Sequence, residues 1–146
     1  DKAADVGFTQ LPEDELLEQA TPELRERLVM ALHYLRWVEG ESPLLREVCR
    51  SPERAAYLAI RGDGILWSEH RPDTGEGCEA ADIVCGELDD NGDLVLWGAP
   101  MNKGADAERA ATATRFFEAL GRAAAYAGLE WGGNWSDPDY AHVEVA

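Results

Sequence analysis

The sequence predicts an α+β domain in which a small antiparallel sheet packs against helices. Three observations carry this. Two segments, about residues 22–38 and 106–127, repeat apolar residues at helical spacing. The stretch Asp89-Asp90-Asn91-Gly92 divides two short apolar runs, which is the pattern of a hairpin. A length of 146 residues suits one domain with one modest core.

Taken in order, residues 1–20 are polar and acidic and read as a leader or arm packed loosely on a domain spanning 21–146. Thr21-Pro22-Glu23 is a helix start, with a hydroxyl N-cap, proline at the first helical position and an acid beside the positive end of the dipole. Leu24, Leu28, Ala31, Leu32, Leu35 and Val38 then share one face until Gly40. Residues 42–60 are mixed, with a short helix expected from Pro52 to about Leu58. Gly64 to Ser68 reads as a short strand leading to His70, and the Pro- and Gly-rich residues 71–79 as a loop. Ala81–Val84 and Asp93–Trp97 are the strands flanking the Asn-Gly turn. Phe116, Phe117, Leu120, Ala124 and Ala127 line one face of the longest helix, which Gly128 ends. His142–Val145 is a last short strand.

Thirteen Lys and Arg against 29 Asp and Glu leave a net charge of −16, which excludes a phosphate backbone or an anionic membrane surface as partner. No apolar run reaches the roughly 20 residues of a membrane-spanning helix. Only Lys2 and Lys103 are lysines, and so acidic a surface is compatible with adaptation to high salt. Nothing at Asp1 resembles an export signal, and a monomer is expected. Cys49, Cys78 and Cys85 form no CxxC pair, so buried free thiols are the expected state, with a Cys78–Cys85 bridge as the alternative.

Three histidines are present. His33 lies within a helical segment among leucines and reads as a partly buried structural residue. His70 and His142 each sit at the end of an expected strand with carboxylates nearby. Asp139 precedes His142 by three residues, so its carboxylate can lie beside a metal held by that imidazole and act as a base. His70 and Asp82 can supply two further ligands, and a His2Asp set suits Zn2+ with one position open. Surface polar residues without a metal are the plain alternative.

Five stretches carry a resemblance: Cys49-Arg50-Ser51-Pro52-Glu53, Ser68-Glu69-His70, Glu79-Ala80-Ala81-Asp82-Ile83, Trp131-Gly132-Gly133-Asn134-Trp135 and Asp139-Tyr140-Ala141-His142-Val143-Glu144. In this order they resemble the motifs of the zinc D-alanyl-D-alanine carboxypeptidases, which include L-alanyl-D-glutamate endopeptidases of endolysin type. The resemblance spans roughly residues 45–146. It implies the Hedgehog-like fold of that family and one zinc ion per chain, held by His70, Asp82 and His142. It implies Asp139 as general base, Arg50 as the holder of substrate or of the developing oxyanion, and Ser68, Trp131 and Trp135 at the substrate cleft. The substrate it implies is a peptidoglycan stem peptide or related D-amino-acid peptide, cut at the cell wall. A catalytically inactive zinc-binding module of the same fold is the alternative.

Two departures bear on the ligand set. Asp82 follows His70 by twelve residues, a longer gap than the family's, through an insertion mostly at Arg71 to Gly75. Each doubling of a loop costs only about 0.6 kcal/mol, so this is tolerable, with Glu79 or Glu69 as substitute ligands. Cys78 stands where the family has glycine, which opens it as a soft fourth ligand. The two tryptophans around Gly132-Gly133 have two compatible readings, as plugs of the sheet beside the last helix and as walls of a cleft.

Overall fold

The computed structural model describes residues 9–50, 56–57, 59–60, 77–88, 90–92, 94 and 107–146. Its helices are α1 (Glu13–Glu18), α2 (Pro22–Trp37) and α3 (Ala107–Ala127). Its strands are β1 (Pro43–Glu47), β2 (Ala80–Cys85), β3 (Leu129–Trp131) and β4 (His142–Val145). The four strands form one antiparallel sheet in the order β1-β2-β4-β3. This is the α+β architecture expected from the sequence.

The helices follow from local signals. Thr21 caps α2, its Oγ1 accepting from Leu24 N at 3.2 Å, and Leu24, Leu28, Ala31, Leu32 and Leu35 are buried. Helix α3 buries Ala113, Phe116, Phe117, Leu120 and Ala124 against α2 and the sheet, and Gly128 ends it with φ +74°. Burial of this joint apolar face is the main stabilising term. Residues 9–20 pack firmly on the rest: they carry α1, Leu16 is buried, and Ala20 pairs with Cys78 in a parallel bridge.

Strands β2 and β4 match the expected 81–84 and 142–145 runs. Gly92 turns with φ +81°, and Leu88 and Leu94 pair across the Asn-Gly segment in an antiparallel bridge. Residues 56–57 and 59–60 are helical. The expected strand at 64–68, the loop at 71–76 and the rest of the 93–97 run lie outside the described residues.

Two strands went unanticipated. Strand β1 opens on a proline, as an edge strand permits, and β3 is only three residues long. A bulge in β1 shifts the register between Leu45 and Glu47, so that Leu45 pairs with Ile83 but Glu47 stands opposite Asp82. Without it, alternation would place Arg46 there; the bulge re-aims the strand by one residue.

The cysteines differ from both sequence readings. Cys49 and Cys78 form a disulfide with Cα atoms 5.7 Å apart, and Cys85 is the free, buried thiol. The Cys78–Cys85 alternative is thereby corrected, and Cys78 is removed as a metal ligand because its sulfur is committed. Gln19 organises the same corner: its side-chain oxygen accepts from Cys49 N at 3.1 Å and its backbone oxygen from Cys78 N at 2.9 Å. Burial raises the Cys85 thiol above its ordinary pKa.

Candidate active site

Antiparallel pairing builds the site. Asp82 of β2 and His142 of β4 are direct partners in the ladder, so both project from the same face of the sheet. The opposite face carries Ala81, Ile83 and Val143 into the core. Asp139, on the turn entering β4, completes a trio. One ligand atom from each of Asp82, Asp139 and His142 lies within 4.8 Å of the others.

The turn is held by close packing around the two glycines. Gly132 O accepts from Asp139 N at 3.0 Å and from Trp135 N at 3.2 Å. A side chain at Gly132 would collide with the backbone oxygen of Asp139 and press on His142 Cβ at 3.2 Å. A Cβ at Gly133 would run into the Trp131 ring, and one at Gly121 of α3 would meet the same ring at 2.7 Å. Trp131 is therefore clamped between α3 and the turn, and its Nε1 donates to Tyr140 O at 2.8 Å. Trp135 is half-exposed, with its ring centroid 5.0 Å from that of His142.

His142 is buried and its two ring nitrogens face different neighbours. Nδ1 lies 3.7 Å from Asp82 Oδ1 and 3.9 Å from Asp139 Oδ2. Nε2 is 2.6 Å from Glu144 Oε1. Arg50 approaches from the β1 side. Its Nε donates to Glu47 and its Nη2 to Asp82 Oδ2 at 3.3 Å, with the guanidinium nearly buried. Burial works against its charge, but Asp82, Glu47 and Asp139 outweigh it and raise the Arg50 pKa above the usual guanidinium value. It is a permanent cation at the edge of an acidic cluster.

The structure thus joins Arg50, Asp82, Asp139, His142 and Trp135 in one place, with Trp131 packed behind the turn. Ser68 and His70 lie outside the described residues, as does Glu69. Among the described residues, Glu79 does not join the group that could hold a metal ion. Two residues of the site, Glu144 and Glu47, receive no role from the sequence. Glu144 had a signal, because two residues beyond His142 on a strand is the same face. Glu47 had none, since only the bulge brings it opposite Asp82.

Two carboxylates and an imidazole converge on one face of the sheet and form a donor set able to hold a divalent ion. The profile of a family described as D-alanyl-D-alanine carboxypeptidase matches residues 61–145. The chain belongs to this peptidase family. Among solved structures, it is similar in fold to the L-Ala D-Glu endopeptidase ChiX of Serratia marcescens, with a TM-score of 0.56 and 23% identity over 94% of this chain and 89% of that one. No curated protein matches the sequence.

Proposed function

We propose that this peptidase is zinc-dependent and hydrolyses peptidoglycan stem peptides or related D-amino-acid peptides. The observation that carries the reading is the convergence of Asp82, Asp139 and His142 within 4.8 Å. The donor set fits zinc: hard oxygen and imidazole ligands, from residues whose order along the chain matches the family's motifs. His142 and Asp82, together with His70, hold the ion. When bound, zinc supplies a Lewis acid that activates water and polarises the scissile carbonyl.

Exposure separates the two aspartates. The Asp82 side chain is 18% exposed and anchored by Arg50, as a ligand should be. That of Asp139 is 51% exposed, open to a substrate and to water. Asp139 accepts the proton of the attacking water and returns it to the leaving amine. Arg50 holds Asp82 in place, and its fixed charge favours the negative charge developing on the carbonyl oxygen. Trp135 walls the cleft beside His142, backed by the clamped Trp131, and the motif resemblance assigns Ser68 to the same cleft.

The test is metal analysis of the purified protein, followed by product release from cell walls and from D-Ala-D-Ala and L-Ala-D-Glu peptides with and without chelator. Zinc at one per chain and chelator-sensitive cleavage are expected. Asp139→Ala keeps the zinc and loses about 10²- to 10⁴-fold in turnover. Zinc without any cleavage identifies the inactive-module alternative, and a protein that takes up no zinc overturns the proposal.

A further inference from the structure

We infer that Glu144 is a positioning residue that fixes the tautomer of His142 and so turns the Nδ1 lone pair toward the Asp82–Asp139 pocket. The inference rests on reading Asp82, Asp139 and His142 as a metal site. The geometry is local. His142 and Glu144 are alternate residues of β4 and share a face. Their side chains meet at 2.6 Å between Nε2 and Oε1. An ionised carboxylate only accepts hydrogen bonds, so the proton between them belongs to Nε2. In a neutral imidazole Nδ1 then carries the lone pair, and this is the nitrogen facing Asp82 Oδ1 and Asp139 Oδ2.

This arrangement settles a competition. Left to itself, an imidazole beside two carboxylates gains most by placing its proton on the nitrogen that faces them. That Nδ1–H form would donate to Asp82 or Asp139 and close the pocket to a cation. A single well-placed acceptor on the far side of the ring reverses the preference. The surroundings of Glu144 suit the task. Its partner on β2 is Ala80, whose methyl leaves room for the longer side chain along the sheet face. Its partner on β3 is Glu130, and like charges facing each other across a ladder are unfavourable. Glu130 is exposed while the Glu144 carboxylate turns inward to His142.

Two readouts test this, one of which needs no metal. In metal-free protein at alkaline pH, the ring 15N shifts of His142 report which nitrogen carries the proton. Zinc affinity is measured separately by competition with a chromophoric chelator. Wild type shows the Nε2–H form. Glu144→Ala shifts His142 toward Nδ1–H and weakens zinc binding about 10- to 100-fold. Glu144→Gln, which retains an acceptor oxygen at the same reach, keeps the Nε2–H form and loses less than Glu144→Ala. An Nδ1–H ring in wild type, or wild-type ring shifts and zinc affinity in Glu144→Ala, overturns the inference. Failure of wild type to take up zinc overturns the metal reading instead, while the ring shifts still decide the role of Glu144.

Discussion

The two flanks of the site are assembled by opposite means. On the β4 flank, Asp139, His142 and Glu144 fall within six residues, and a tight turn plus strand alternation aims all three. On the β1 flank, Glu47, Cys49 and Arg50 reach Asp82 from more than thirty residues away, through a bulge, a buried ion pair and a disulfide. The first flank is local chain geometry. The second exists only once the fold has closed, so its parts have to be fastened individually.

The difference predicts how each flank fails. The largest stability effect belongs to Arg50. Arg50→Ala removes a guanidinium from the buried carboxylates of Glu47 and Asp82, with an expected loss of about 4–5 kcal/mol by urea denaturation. Zinc affinity should fall with it, because Asp82 loses its brace. Next comes the disulfide. A Cys49→Ser/Cys78→Ser double variant opens a crosslink with a separation of 29 residues, and about 3 kcal/mol of stability should go with it in the same assay. The ring shifts of His142 should not move, since the β4 flank is built without the crosslink; a change there would break the comparison. Smallest is Gly132→Ala, at about 1–3 kcal/mol, because only one turn has to open. Yet it acts directly on Asp139, so its loss of turnover should exceed what its stability loss suggests. Full activity in Gly132→Ala would show that the turn tolerates more slack than its packing indicates.

The same division explains what could be read from the chain. Helices α2 and α3 were legible because caps and apolar spacing act within a few residues. Strands β2 and β4 were legible as short apolar runs. Strand β1 was not, because Pro43-Leu44-Leu45-Arg46-Glu47 alternates in burial without alternating apolar and polar residue types, and β3 is too short to show a period. The grouping of Asp82 with Asp139 and His142 followed from motif order, although ladder register is what delivers it. Three cysteines admit three pairings, and nothing in their spacing favours Cys49 with Cys78; they meet at a corner that Gln19 organises, a tertiary contact invisible in the spacing. Glu144 needed only the rule that alternate strand residues share a face.

The grip on Trp131 has a mechanical consequence. One side of that indole rests on Gly121 of α3 and the other on Gly133, beside the turn that carries Asp139. The long helix brings no chemistry of its own, yet it serves as the anvil against which the base is set. A small displacement of α3 toward the sheet presses on the indole, and through it on the turn that sets that carboxylate.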